Sequence, residues 1–164
     1  MAVFRNVPEE WQRLDWILFQ NGWVSLYMAK EILIADTFWF RGQRYRVLDL
    51  DCSHWSDEAA VHADLKIKFR FSDTYAHTLP SLRDSLSEHD VAGTGLVVVL
   101  HQFGKVPQQL GQSLLDVFAD NSRLHMLRGE RIITLVQVAS RKSPYTAAGK
   151  SAVSWNPIES GLGM

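Results

Sequence analysis

The chain has 164 residues, a formal charge of −1 at pH 7, 46% hydrophobic and 21% charged residues and a single cysteine. That length suits one domain with a real core, and the composition is ordinary for a globular protein. The near-neutral charge excludes a broad basic footprint for nucleic acid, and it equally excludes an overall acidic excess, so any acidic surface must be local. One cysteine, Cys52, excludes an internal disulfide and fits a reducing compartment. It ends an apolar run, where a free thiol reads as a small buried hydrophobe rather than a nucleophile. Charges interrupt the opening MAVFRNVPEEWQRLDW, which rules out a leader-like pattern. No run approaches the ~18 apolar residues of a membrane span. The expected location is the cytoplasm.

In chain order, Pro8 to Phe19 reads as one helix. Pro8 suits the first turn, Glu9 and Glu10 complement the positive helix end, and Trp11, Leu14, Ile17 and Leu18 share a face. Asn21-Gly22 stops it. Trp23 to Met28 has strand composition. Lys30 to Arg41 has two readings: a strand entering a hairpin at Arg41-Gly42-Gln43, or a helix capped by Gly42. The run Thr37-Phe38-Trp39-Phe40 favours the strand. The helix is preferred because strand, helix and the following strand, Tyr45 to Leu50, make a compact βαβ crossover.

Ser56 is the expected N-cap of the next helix, which runs to about Phe69 with Ala60, Val61, Leu65 and Phe69 inward. A short helix follows, in which Leu79, Leu82 and Leu86 share one face and Pro80, Arg83 and Asp84 point elsewhere. Leu96 to Leu100, LVVVL, is a continuous apolar run, the mark of a strand covered on both sides. Pro107 to Leu127 is a helix with Leu110, Leu114, Leu115, Val117, Phe118 and Leu124 inward. Arg131 to Val138 is the last strand. The order β-α-β-α-α-β-α-β predicts an α/β fold, a mainly parallel sheet packed with helices. Residues 1–140 form one domain, with 1–44 as an N-terminal βα extension and 45–140 as the core. Residues 141–164 read as a polar tail anchored by Trp155, in which Glu159 is a neutral reference position.

The stretch Tyr75-Ala76-His77-Thr78-Leu79-Pro80-Ser81-Leu82-Arg83-Asp84 resembles the binding loop and second helix of the barstar family, intracellular inhibitors of secreted ribonucleases. The family form is roughly Tyr-Gly-x-Asn-Leu-Asp-x-Leu-x-Asp; the tyrosine, both leucines and the last aspartate match. From Tyr45 onward the layout is barstar-like, and Leu114-Leu115-Asp116-Val117-Phe118 with Arg131-Ile132-Ile133-Thr134-Leu135-Val136 resembles the family's last helix and strand. The opening Pro-Glu, Leu-Asp-Trp and Asn-Gly elements and the closing Trp155-Asn156-Pro157 are similar to longer actinobacterial-type members.

This resemblance implies a one-to-one protein inhibitor, an immunity protein occluding a ribonuclease or related secreted toxin, with no cofactor, no metal and no catalytic residue of its own. It also implies a partner-binding surface of Thr74, Tyr75, Ala76, His77, Thr78, Pro80, Arg83, Asp84 and Asp120. Asp84 takes the place of an RNA phosphate among the toxin's basic residues, and Asp120 matches an acidic position on the long helix that faces the ribonuclease. Tyr75 either packs in the interface or plugs the loop into the core. The chain departs from the pattern at Pro80, where the family has an acidic contact, and at Arg83, which sets a positive charge beside Asp84. Both changes suggest a surface retuned for another toxin, or one partly decayed.

Two other functions are consistent with the residues. Asp49-Leu50-Asp51 after an apolar strand resembles the phosphoryl-transfer motif of haloacid-dehalogenase-like enzymes, with Asp49 as nucleophile and both carboxylates on Mg²⁺; the supporting lysine and acidic pair are not recognisable. A barstar-fold interaction module with a non-nuclease partner is the other. The six histidines make no zinc pattern and read mostly as surface or loop residues.

Overall fold

Every residue of the run Leu96 to Leu100 is at most 2% exposed, so both faces of this strand need cover. In the computed structural model, which describes residues 4–161, the cover comes from two helical layers. The sheet consists of β1 (Val24–Tyr27), β2 (Arg46–Asp51), β3 (Leu96–His101), β4 (Ile132–Gln137) and β7 (Ser154–Trp155), in the order β2-β3-β4-β1-β7. All its pairings are parallel, as expected, with Leu48, Val98 and Thr134 in register across β2, β3 and β4.

One face carries Leu48, Leu50, Val98, Leu100 and Val136. It packs against α4 (Glu58–Phe69), α5 (Leu79–Ser87) and α6 (Gln108–Leu127). The other carries Val97, Val99, Ile133 and Leu135 and packs against α2 (Leu14–Gln20) and α3 (Lys30–Gly42). The crossover through α3 runs from β1 out to β2, while those through α4–α5 and α6 run back across the sheet. Opposite directions served by opposite faces are what a single crossover handedness requires.

The ambiguous segment is a helix. Leu33, Asp36, Thr37 and Phe40 face inward at helical spacing. Burying side chains such as Leu33 and Phe40 contributes about 1.5–3 kcal/mol each, which outweighs a β-propensity scale spanning only ~1 kcal/mol. Gly42 does not end the helix in a left-handed turn. That role falls to Arg44, at φ 65°, with the Tyr45 amide closing back on the Phe40 carbonyl at 3.0 Å.

The first predicted helix is two, α1 (Pro8–Trp11) and α2, broken at an extended Arg13. Asp15 explains the break. It is buried, and it accepts a two-pronged hydrogen bond from Arg13 at 3.0 Å and a third from the Tyr45 hydroxyl at 2.6 Å. Burial alone would raise the Asp15 pKa, but the bonds from Arg13 and Tyr45 outweigh it and hold the carboxyl below its ordinary value. Trp11, expected inward, is exposed and donates to Asn6. Asp57, not Ser56, caps α4, its carboxylate accepting from the Ala60 amide at 2.9 Å. On α6, Leu124 is exposed and Leu110 only half-buried, while Asn121, Ser122 and His125 are buried.

Residues 141–161 are no loose tail. They supply a hairpin, β5 (Ala147–Ala148) with β6 (Ser151–Ala152), then the edge strand β7 and the helix α7 (Pro157–Gly161). Tyr145, rather than the half-buried Trp155, fills the core, its ring 5.4 Å from that of Phe103. Glu159 is buried and accepts from the Met28 amide at 2.7 Å and from the Ala29 amide, at the start of α3. Asn156 donates to Asp36, which also accepts from Tyr27. Burial raises the Asp36 pKa against the pull of these two bonds.

Glu159 is therefore a structural carboxylate, and truncating it leaves two amides without their acceptor. Glu159→Ala is expected to lower the unfolding free energy by about 2–4 kcal/mol, read from urea denaturation. A change under about 0.5 kcal/mol, the usual effect of a neutral surface substitution, would show the contact to be dispensable.

Candidate protein-docking site

The loop before α5 is held by its own side chains. The Tyr75 amide donates to the Ser72 carbonyl at 3.0 Å, and the Ser72 and Thr74 hydroxyls meet at 2.6 Å. His77 takes a left-handed conformation, φ 57°. Thr78 caps the helix by accepting from the Ser81 amide at 3.2 Å, and the Ser81 hydroxyl accepts from the Ala76 amide at 2.9 Å. Pro80 occupies the first turn, where no amide is needed. Thr74, Ala76, His77, Thr78 and Pro80 are exposed.

Tyr75 is different: its side chain is buried. The ring packs against Phe71 at 4.8 Å and lies edge-on to His62 at 5.7 Å, with the hydroxyl bonded to His62 Nδ1. Burial pushes its pKa up to about 12, so the hydroxyl keeps its proton. Tyr75 fixes the loop from beneath.

Below the loop, α5 is bolted to α6. Leu82 and Leu86 enter the core. The last carbonyls of α5 are taken by α6 and its cap: Leu86 O accepts from His125 Nε2 at 2.8 Å and Ser87 O from Arg128 at 2.6 Å. The exposed side of the α5–α6 cleft is lined by Arg83, Asp84, Asp120, Arg123, Leu124 and Lys150, among others. Arg83 reaches Asp120 at 3.7 Å. Both ends of that pair are partly solvated, so it contributes at most ~1 kcal/mol, and an incoming group can break it at little cost. Asp84 is exposed, and its carboxylate has no partner among the described residues.

Three supporting residues were not singled out in the sequence. His62 and His125 are fully buried, contrary to the expectation of surface histidines. Each replaces an apolar residue on an inward helical stripe, next to Val61 and Leu65 in one case and following Leu114 and Phe118 in the other. Lys150 reaches the cleft from the hairpin, and nothing local in the sequence signals that.

Asp49 and Asp51 are each engaged by other groups of the protein. Asp49 is engaged by Arg41 at 2.6 Å and His101 at 2.8 Å, while Asp51 accepts from the Ser53 amide at 3.0 Å. Among the described residues no group of three or more His, Cys, Asp or Glu side chains is placed to hold a metal ion. Burial and the neighbouring Asp51 raise the pKa of Cys52 strongly, which keeps the thiol protonated and unreactive. No helix among the described residues is long and apolar enough to cross a membrane.

The α5–α6 face thus combines an ordered loop with an exposed carboxylate that has no partner among the described residues. The chain belongs to the barstar family: the family model described as Barstar (barnase inhibitor) matches residues 45–137, from just before β2 to the end of β4. Proteins of this family are inhibitors that bind barnase-type ribonucleases. No curated protein matches the chain.

His62 gives the loop a pH dependence. Burial, with a further push from His77, lowers its pKa from the ordinary 6.5 despite the opposing pull of Glu58. Its neutral form is what the fold accepts, because the ring is buried and Nε2 has no partner to take up the charge of the protonated form. The unfolded chain therefore binds the proton more readily, and stability falls as pH drops below 6.5. Burial shifts His89 the same way, so part of the effect is shared. Urea midpoints at pH 7.5, 6.5 and 5.5 are expected to fall with acid and to fall less in His62→Gln. Parallel pH profiles would remove His62 from the account.

Proposed function

We propose that this protein is an immunity protein, a cytoplasmic inhibitor that binds a ribonuclease toxin one-to-one and occludes its active site without a cofactor. The observation that carries the reading is Asp84: an exposed, unpaired carboxylate on a helix whose other face is locked into the core, beside a loop tied down by Tyr75, Thr78 and Ser81. A site that binds RNA phosphates offers cations in a cleft, and a pre-positioned carboxylate entering it forms charge-assisted hydrogen bonds at small entropic cost. Thr74, Ala76, His77, Thr78 and Pro80 supply the surrounding contact surface, and Asp120 adds a second anion once its weak pairing with Arg83 opens. Tyr75 acts from below by holding the loop.

Truncating a desolvated, charge-paired anchor typically costs about 2–5 kcal/mol, much of it from the partner cation left unpaired. Asp84→Ala is expected to weaken binding by that amount in calorimetric titration against the ribonuclease captured from source cells. Glu9→Ala is the control, since Glu9 is exposed and its helix adjoins α2, which packs on the opposite face of the sheet. Equal affinity for wild type and Asp84→Ala would mean that this face is not the docking surface.

The inhibitor reading also predicts no Mg²⁺-dependent phosphatase activity, and unchanged ribonuclease binding in Asp49→Asn. Turnover of a phosphomonoester that Asp49→Asn abolishes would replace this reading with an enzymatic one.

A further inference from the structure

The hairpin that follows the family-matched region lies directly beside the docking face. Its turn is seated on α6: the Gly149 amide donates to Asp116 Oδ1 at 2.9 Å, and Gln112 donates to the Ala147 carbonyl at 2.8 Å. Gly149 has φ 59°, and a Cβ there would lie 2.6 Å from Asp120 Oδ1, so glycine lets the turn approach the long helix without strain. This seating places exposed Lys150 in the same cleft as Asp84 and Asp120. Arg83 and Arg123 line it too. The cleft thus holds three cations against two carboxylates, a net charge of +1. A surface selected only to fill a phosphate-binding cleft would carry the opposite sign.

We propose that Arg83, Arg123 and Lys150 are specificity determinants, with the C-terminal hairpin a selectivity element added to the docking face, and that the protein selects a ribonuclease whose RNA cleft is rimmed by carboxylates. Asp84 enters among the toxin's phosphate-binding cations, and the three cations pair with acidic side chains at the rim. Against a ribonuclease with a purely cationic cleft they repel, and the complex is disfavoured. Like charges brought together at an interface are the usual means of rejecting a wrong partner. The inference rests on the docking reading of the α5–α6 face, and it adds a segment outside residues 45–137 to that face.

The test uses barnase, the ribonuclease in the family's own description, as the probe for a cleft built to hold RNA phosphates. Inhibition of its cleavage of a fluorogenic RNA is compared for wild type, Lys150→Gln and the triple variant Arg83→Gln/Arg123→Gln/Lys150→Gln. These side chains are exposed, and unchanged urea midpoints check that the fold is retained. The triple variant is expected to inhibit on the order of 10–100-fold more strongly than wild type, with Lys150→Gln accounting for part of the gain. The gain should shrink as salt is raised, because solvated charges are screened.

A triple variant that inhibits no better than wild type, at any level of inhibition, overturns the proposal. So does a gain to which Lys150→Gln contributes nothing, since the hairpin then selects nothing. Adding Asp84→Asn to the triple variant reads the underlying assignment separately. Loss of the gained inhibition supports the shared face, whereas retention shows that barnase docks elsewhere.

Discussion

The burial of β3 on both faces is the constraint from which the rest of the architecture follows. A strand of five consecutive aliphatic residues is stable only with apolar cover above and below. The family-matched region supplies one cover, α4, α5 and α6, and leaves Val97, Val99, Ile133 and Leu135 facing the other way. The N-terminal extension supplies the second, through α2 and α3. It also inserts β1 beside β4, and the C-terminal segment extends that edge with β7. The additions at the two ends of the chain complete one sheet between two helical layers.

On the proposed reading, this division separates stability from recognition. The layer made by the extension lies opposite the docking face. The proposed docking face is the outer surface of α5 and α6, whose inner surfaces carry Leu82, Leu86, Leu114 and Phe118. Rigidity reaches the surface through a few polar ties placed just beneath it: Tyr75 to His62, His125 to Leu86 and Arg128 to Ser87. A partner therefore meets a surface whose ordering entropy has been lost already in folding, and more of the contact energy remains as affinity.

Much of the fold was legible because it depends on periodicity. The two-sided apolar run of β3, the leucine face of α5 and the stripe of α6 each have one reading once their length is counted. The features that escaped depend on contacts distant in sequence. Helix breaks and caps were decided by tertiary partners: Asp15 meets Arg13 and Tyr45 and splits the first helix, while Asp57 displaces Ser56 as cap. The C-terminal segment looked like a tail because its strands are two residues long, too short to show alternation. Glu159 looked neutral because its two donors lie some 130 positions earlier. At the candidate site, the exposure of Pro80, Arg83 and Asp84 followed from the position of the leucines. The buried tyrosine–histidine pair and the arrival of Lys150 did not, because each joins elements that only the folded chain brings together.

The position of β1 also dictates the order of assembly. The first strand of the chain lies between β4 and β7, its partners from the far end, with Val24 opposite Thr134 and Ser25 opposite Ser154. During synthesis it must therefore wait unpaired until β4 and β7 have been made. The helices of the docking layer need only segments already emerging behind them, and they can pack on β2 and β3 earlier. Closing so long a loop is slow, and an unpaired strand edge invites association while it lasts. Nascent chains are thus open to association at β1 until β4 has emerged. A protein shortened at that end would carry the docking face while leaving β1 with an open edge.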